Sequence, residues 1–250
     1  MVSYQTVARD VLKLEAEAVH AVAARIDESF DRAVEALFAC RGRVVVTGMG
    51  KCGIIGRKIS ATLASTGTLS VFMHPADAIH GDLGMITDAD VVLALSNSGE
   101  TEEMIRLLPL IRKIGARLIA VTGRVRSTLA EHSDVVLDAA VAREACPYNL
   151  APTASTTAQL ALGDALAMAL MRKRQFKPED YALRHPGGSL GRRLLKIADI
   201  MRTGDRLVCL PPCTPLRDVI VAMTKTRNGA ACIVDNSGAP VGFFTDGDFR

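Results

Sequence analysis

The stretch Arg43-Val44-Val45-Val46-Thr47-Gly48-Met49-Gly50-Lys51-Cys52-Gly53 decides the fold. Its β-branched run is typical of a buried strand, and the three glycines in its second half are typical of a tight turn. Apolar residues at helical spacing follow over residues 54–64. The stretch therefore predicts a strand, a turn and a helix in direct succession.

The same alternation continues to residue 173. It predicts strands at residues 69–73, 91–95, 118–121 and 135–137, and helices at residues 101–114, 128–132 and 156–171. Continuous apolar strands separated by helices indicate a parallel sheet covered on both faces. We therefore predict an α/β fold, a three-layer αβα sandwich with a parallel sheet, over residues 1–195.

An N-terminal arm precedes the first strand. Its apolar residues recur at helical spacing over residues 4–40 and predict one long helix, or two helices broken near Asp27. Packing of this arm on a sister subunit and packing on its own domain both remain open.

The pattern changes after residue 199. A proline-rich stretch precedes a helical pattern at residues 216–224, and strand-like runs follow at residues 231–234 and 241–244. We predict a second, partial small α+β module over residues 199–250. Because Arg250 falls where a closing helix should begin, we expect the natural chain to continue beyond it.

The composition of the chain argues against nucleic-acid and membrane partners. Basic and acidic residues nearly balance, at 30 and 27, and no basic block indicates a nucleic-acid partner. No apolar run is long enough to span a membrane, so we expect no membrane partner either. The six cysteines are scattered and no secretory signal is evident, which favours a reducing, cytoplasmic location.

The glycine-rich turn is the first of three loops at which chemistry is expected, since open parallel sheets bind ligands at the carboxyl ends of their strands. Its Gly48-x-Gly50-x-x-Gly53 spacing fits a dinucleotide site, but the second strand does not end in the acidic residue that such a site needs. Lys51 suits a phosphate or a carbonyl oxygen better. A turn with no ligand remains possible.

Hydroxyl groups crowd the other two loops, Ser96-Asn97-Ser98-Gly99-Glu100-Thr101 and Ala151-Pro152-Thr153-Ala154-Ser155-Thr156-Thr157. Each loop opens a predicted helix, whose free N–H groups and dipole attract anions. Serine and threonine also cap helices, but a cap needs one hydroxyl, whereas the first loop carries three. We expect the two loops to hold the ends of a small phosphorylated polyol, although capping remains open for the second.

Ionisable residues stand beside these loops. Glu103 lies one turn inside the helix after the first hydroxyl-rich loop, and Glu144 shortly precedes the second. His80 and His185 lie in irregular stretches. His74 together with His80 makes a thin metal site, because two histidines lack the further ligands that a metal needs.

These segments resemble the sugar isomerase (SIS) domain family over residues 13–195. The similar motifs are Gly48-Met49-Gly50-Lys51, Ser96-Asn97-Ser98-Gly99-Glu100, Glu144-Ala145-Cys146-Pro147 and His185-Pro186-Gly187-Gly188, with His80-Gly81-Asp82-Leu83-Gly84-Met85 as the more specific stretch. The tail from Asp199 is similar to a cystathionine-β-synthase (CBS) repeat.

The resemblance implies an aldose–ketose isomerase that assembles as a homotetramer and needs no metal cofactor. Its narrower branch interconverts D-ribulose 5-phosphate and D-arabinose 5-phosphate in Kdo and lipopolysaccharide biosynthesis. A non-catalytic sugar-phosphate sensor is the alternative. The tail would bind an adenosine nucleotide or a nucleotide sugar, or act as a spacer.

The resemblance and the loops together give the candidate site. Catalytic roles are expected for Lys51, Glu103, Glu144 and His185, and an inhibitory divalent metal at His74. The expected substrate contacts are Gly48, His80, Ser96, Asn97, Ser98, Thr101, Thr153, Ser155 and Thr156.

The expected chemistry is transfer of a proton between C1 and C2 by one base through a cis-enediol. We expect Glu144 to be that base, with a pKa raised by burial against Cys146 and Pro147. Lys51 would stabilise the enediolate oxygen, Glu103 would orient Lys51 or a hydroxyl, and His185 would shuttle protons between oxygens.

Overall fold

The computed structural model describes residues 3–184 and 196–250. The chain divides into two compact units, Met1–Arg192 and Arg193–Arg250. The first contains a five-stranded sheet with helices on both faces, and the second contains a three-stranded sheet. The predicted α/β class with a small α+β module is confirmed.

The first unit alternates strands and helices. Its strands are β1 (Val44–Gly48), β2 (Ser70–Met73), β3 (Val91–Ser96), β4 (Arg117–Thr122) and β5 (Val135–Asp138). Its helices are α1 (Tyr4–Ala23), α2 (Glu28–Phe38), α3 (Gly50–Ser65), α4 (Pro75–Ile79), α5 (Glu102–Ile114), α6 (Thr128–Glu131), α7 (Ala154–Lys173) and α8 (Pro178–Arg184), with a 3-10 turn at Asp82–Met85.

The N-terminal arm is two helices. Asp27 separates them, because its carboxylate accepts a hydrogen bond from the N–H of Ser29 at 2.8 Å and caps α2. Helix α1 packs against α7 of its own chain.

All neighbouring strands of the first sheet are parallel, in the order β2-β1-β3-β4-β5. After β1 the chain forms β2 at one edge of the sheet. After β3 it forms β4 and then β5, which lies at the opposite edge. The carboxyl ends of β1 and β3, at Gly48 and Ser96, therefore flank the point where the winding reverses. A crevice at such a point is the usual ligand site of a doubly wound sheet.

Alternate residues of β1 serve two cores. Val44 and Val46 are fully buried beneath α2, α3 and α7, whereas Val45 packs with residues of α4, α5 and α6 on the opposite face. This is why the predicted strands are apolar without alternation.

Helices α3 and α7 run side by side in the same direction. Lys58 pairs with Asp164, and Gly163 lies so close to Ile59 that a Cβ there would come within 2.3 Å of the isoleucine side chain. Beyond both helix ends, Arg174 donates to the hydroxyl of Thr68 at 3.1 Å. In each of these pairs the residue numbers differ by a nearly constant amount, so the two helices advance together. They therefore also begin at the same edge of the sheet.

The second unit is a mixed sheet in the order β6-β7-β8 with helices beside it. Its strands are β6 (Cys209–Leu210), β7 (Ala230–Val234) and β8 (Pro240–Thr245), and its helices are α9 (Ile197–Ile200), α10 (Leu216–Thr226) and α11 (Asp246–Phe249), with a 3-10 turn at Gly204–Arg206. Sequence reasoning missed β6, since a two-residue strand has no periodicity to detect. Within residues 3–184 and 196–250, no helix has both the length and the apolar character needed to cross a bilayer.

Candidate functional site

The glycine-rich turn brings the start of α3 tightly against β1. Gly50 has φ +56°, which favours glycine, and a Cβ on Gly53 would lie 2.5 Å from the carbonyl oxygen of Gly48. A Cβ on Gly48 would itself approach the carbonyl oxygen of Leu95 to 3.0 Å. These packing needs explain the glycines without a nucleotide. Lys51 is exposed in the first turn of α3, beside the β1/β3 crevice.

The loop over residues 96–101, called here the hydroxyl loop, is held by its own side chains. The hydroxyls of Ser96 and Thr101 are 2.9 Å apart, and Ser96 Oγ also accepts from the N–H of Gly99 at 3.1 Å. Ser98 Oγ accepts from the N–H of Glu100 at 3.2 Å. Because Ser96 is only 3% exposed, its hydroxyl shapes the loop, whereas Ser98 is half-buried and Asn97 exposed.

The start of α6 braces the hydroxyl loop from outside. The carboxylate of Glu100 accepts from both the N–H and the hydroxyl of Thr128 at 2.8 Å, and these bonds lower the pKa of Glu100. The N–H of Leu129 donates to the carbonyl of Gly99 at 3.1 Å. Gly99 has φ +67°, and a Cβ there would fall 1.9 Å from Ser127 Oγ. These contacts tie the hydroxyl loop to the start of α6.

Helix α5 starts at the hydroxyl loop without a side-chain cap. Thr101 is its N-cap residue, but the threonine side chain makes no capping hydrogen bond. The capping explanation for these hydroxyls is therefore not supported at α5, and its first N–H groups remain available to an anion. Glu103, half-buried, lies in the same first turn.

Glu144 is anchored through one carboxylate oxygen to the start of α7. Its Oε2 accepts from the N–H of Thr153 at 2.8 Å, from the hydroxyl of Thr153 at 3.1 Å and from the N–H of Ser155 at 3.1 Å. The Thr153 hydroxyl accepts in turn from the N–H of Ala145 at 2.8 Å. The hydrogen bonds from the Thr153 N–H, the Thr153 hydroxyl and the Ser155 N–H thus all end on the same oxygen, Oε2.

The expected direction of the Glu144 pKa shift is wrong. Burial does act to raise the pKa, but the hydrogen bonds from Ser155 and Thr153 together outweigh it, so the pKa lies below the ordinary glutamate value. The sequence indicated the burial but not that Thr153 and Ser155 would converge on one oxygen. Glu144 is consequently ionised at neutral pH.

Glu144 lines a groove of about 360 Å³ between α1 and the loop over residues 143–149. Val7, Asp10, Val11 and Leu14 form the α1 side, and Arg143 and Asn149 lie on the loop side. The groove lies within the size range of small-ligand pockets. Sequence reasoning passed over Arg143, a cation directly beside the proposed base.

The start of α7 holds further polar groups. Ser155 is fully buried, and the Thr156 hydroxyl donates to the carbonyl of Thr153 at 2.8 Å, which is a local, structural use. Gln159 follows Ser155 by one turn, is also fully buried, and both polar atoms of its side chain lack a hydrogen-bond partner among the described residues. Because Gln159 follows Ser155 by four residues, the two lie on the same face of the helix, and this spacing could have marked Gln159 as a candidate site residue.

The histidines are dispersed. His74 is half-buried at the N-cap of α4, and His80 is exposed directly after that helix. Within the described residues no three His, Cys, Asp or Glu side chains group closely enough to hold a metal ion. An inhibitory metal at His74 stays a prediction. His185 lies outside the described residues, and its catalytic role stays a prediction.

Three loops share one edge of the sheet. The turn after β1 and the hydroxyl loop after β3 are adjacent at the winding reversal, and parallel packing puts the start of α7 level with the start of α3. The fold thereby brings Lys51, Ser98 and Glu144 to the same side of the domain.

Two family models match the chain. The SIS domain model matches residues 37–169, and the CBS domain model matches residues 197–250.

Curated proteins and solved structures are similar as well. The arabinose 5-phosphate isomerase KdsD of Pseudomonas aeruginosa is 54% identical over 97% of this chain and 75% of its own length, and the protein of that name from Escherichia coli K12 is 49% identical over 99% and 76%. The structure of E. coli CFT073 c3406 in complex with arabinose 5-phosphate has a TM-score of 0.72 and 41% identity, covering 74% of this chain and all of that one.

Proposed function

Because this chain belongs to the SIS-domain family and, within it, to the arabinose 5-phosphate isomerases, we propose that it interconverts D-ribulose 5-phosphate and D-arabinose 5-phosphate. The observation that carries the proposal is an uncapped helix start at the β1/β3 crevice, on the same sheet edge as an anchored carboxylate. An anion site beside a base is what phosphosugar isomerisation requires.

The phosphate is proposed to bind at the hydroxyl loop. Ser98 and Thr101 offer hydroxyl donors, and the first N–H groups of α5 complete the site. Ser96 orients Thr101 through the contact at 2.9 Å. Fixing the phosphate restrains the flexible sugar so that its carbonyl end meets the base.

Glu144 is proposed to move the proton. In the aldose-to-ketose direction its Oε1 takes the proton from C2, the carbonyl oxygen at C1 gains a proton, and a cis-enediol forms. The same carboxyl group then delivers a proton to C1 while the O2 hydroxyl loses its own. Anchoring of Oε2 by Thr153 and Ser155 keeps Oε1 in one position through both steps.

The remaining roles follow from position. Lys51 is proposed to stabilise negative charge on the enediolate oxygen, with Glu103 orienting it and His80 contacting the sugar. His185 is proposed to carry protons between O1 and O2. Proton transfer is thus proposed to fall to these side chains, with no metal required.

Incubating the chain with D-ribulose 5-phosphate and measuring arabinose 5-phosphate tests the proposal. An isomerase converts the ketose to a stable equilibrium mixture, whereas a sensor binds the sugar and leaves it unchanged. Absence of conversion despite binding would reject the isomerase function.

Assembly as a homotetramer is also proposed. Large apolar side chains are exposed on the single chain at Tyr4 (92%), Leu12 (68%) and Ile54 (67%), on helices α1 and α3. Such apolar surface suits subunit contacts. Sedimentation equilibrium of the full chain measures the subunit number directly.

A nucleotide is proposed for the second unit. A groove of about 440 Å³ there is lined by residues that include Thr224, Arg227, Asn228 and Asp246. The side-chain oxygen of Asn228 is buried and has no partner among the described residues, so it can accept a hydrogen bond from a ligand. An adenosine nucleotide is the ligand proposed for these groups, and calorimetric titration with ATP and AMP tests it.

A cytoplasmic role in Kdo and lipopolysaccharide biosynthesis is proposed, since curated relatives carry the name KdsD. Loss of lipopolysaccharide in a deletion strain, restored by arabinose 5-phosphate in the medium, would support that role.

A further inference from the structure

Two cysteines lie directly opposite one another in the sheet of the second unit. The parallel register of β6 and β7 pairs Cys209 with Cys232. Neighbouring strands lie about 4.7–4.9 Å apart. A disulfide joins residues whose Cα atoms are about 4.4–6.8 Å apart, so the strand pairing meets the Cα separation that a bridge requires.

Both thiols also point to the same side of the sheet. Leu210 and Ala231, their neighbours along the strands, pack into the small core beneath α10. Because successive side chains of a strand alternate between faces, Cys209 and Cys232 lie on the opposite face. Phe243, paired with Cys232 from β8, is 72% exposed on that face, which confirms that it is open.

The Cys209 thiol acts on Cys232. Burial raises the pKa of Cys232, and the neighbouring Cys209 thiol raises it further. Cys209 is exposed, Cys232 is half-buried, and both are free thiols. A reagent in solution therefore reaches Cys209 first.

We propose that Cys209 and Cys232 form a dithiol site that a small-molecule disulfide, such as glutathione disulfide, oxidises to an intrachain disulfide. In the first step the Cys209 thiolate attacks the reagent, forms a mixed disulfide and releases one thiolate. In the second step the Cys232 thiolate attacks Cys209 Sγ and expels the other. The protein loses two protons and two electrons, and the reagent is reduced to two thiols.

This bridge would fasten the edge strand β6, only two residues long, to the central strand β7. Cys213 offers the natural comparison, because it is exposed and only four residues from Cys209 but belongs to no strand. The strand register therefore places Cys209, and not Cys213, opposite Cys232.

The test treats the reduced, full 250-residue chain with glutathione disulfide, alkylates the remaining thiols and maps the tryptic peptides by mass. Trypsin leaves Cys209 and Cys213 together in peptide 207–217 and Cys232 in peptide 228–250. We expect these peptides to be recovered cross-linked, two hydrogen masses below their sum, with most of Cys232 in that form.

Two single variants assign the bridge. Cys213→Ser should retain the cross-link, and Cys209→Ser should abolish it. Recovery of Cys232 mainly as its alkylated thiol or its own glutathione adduct, or a cross-link that persists in Cys209→Ser, would overturn the proposal. The wild-type measurement does not depend on any variant folding.

Discussion

The backbone N–H of Thr153 donates to Oε2 of Glu144 across 2.8 Å, and the threonine hydroxyl reaches the same oxygen at 3.1 Å. One residue thus supplies two donors to the carboxylate that is proposed as the base. The anchor fixes the position of the carboxylate and favours its ionised form.

Glu144→Gln should lower kcat at least about a hundredfold, because the amide cannot accept the substrate proton. Its oxygen can still accept from Thr153 and Ser155, so we expect KM to change little. Steady-state kinetics with ribulose 5-phosphate checks this.

The matched control is Glu131→Gln, an exposed carboxylate in α6 that lies with Gly115 and Arg117 near the amino ends of the strands. It should retain wild-type kinetics. Near-normal kcat in Glu144→Gln would remove Glu144 from the base position.

Thr153→Val should raise the pKa of Glu144, since it removes a hydroxyl donor from the ionised form. The acid limb of kcat/KM, which reports the essential base of the free enzyme, should therefore move to higher pH. Thr157→Val is the control, because its hydroxyl donates to Glu15 instead. An unmoved acid limb in Thr153→Val would show that Glu144 does not control it.

The free energy of unfolding should also depend on the hydrogen bond between the Thr153 hydroxyl and Glu144. The pKa of Glu144 is lower in the folded chain than its ordinary 4.5, so the ionised group stabilises the fold above that value and loses the contribution as pH falls through the folded pKa. Thr153→Val should cost about 1 kcal/mol near neutral pH and less in acid. Urea unfolding at several pH values measures this, and an equal cost at every pH would contradict it.

Ser98→Ala should raise KM about ten- to a hundredfold and leave kcat largely intact, because a hydrogen bond to a charged phosphate is worth about 1.5–3 kcal/mol. Ser133→Ala is a suitable comparison, since the hydroxyl of Ser133 donates to the helix carbonyl of Leu129. Equal KM values for both variants would exclude Ser98 from phosphate binding.

Gly99→Ala should destabilise the first unit by about 2 kcal/mol or more, because a Cβ at φ +67° would collide with Ser127 Oγ. Gly115→Ala, at the other end of α5, has φ +87° but meets only an ordinary contact at 3.6 Å. It should therefore cost less. Thermal unfolding of both variants measures the loss of stability in each and so separates the effect of the collision from that of backbone strain. Equal losses would show that the hydroxyl loop adjusts freely.

Much of the fold was predictable from the sequence because its strands are continuous apolar runs, such as Val91–Ser96, between amphipathic helices. The hydroxyl loop was predictable for a related reason, since serines after a buried strand must lie at the carboxyl edge. Long-range contacts were not predictable. The convergence of Thr153 and Ser155 on Glu144, the unpaired amide of Gln159 and the pairing of β6 all depend on how distant segments pack.

The most direct test of the central claim is proton exchange in deuterated water. With wild-type chain, the account predicts deuterium at C2 of the arabinose 5-phosphate formed and exchange at C1 of the remaining ribulose 5-phosphate. With Glu144→Gln, both signals should fall at least about a hundredfold while the sugar still binds. Exchange at the wild-type rate in that variant would contradict the assignment of Glu144 as the group that moves the proton.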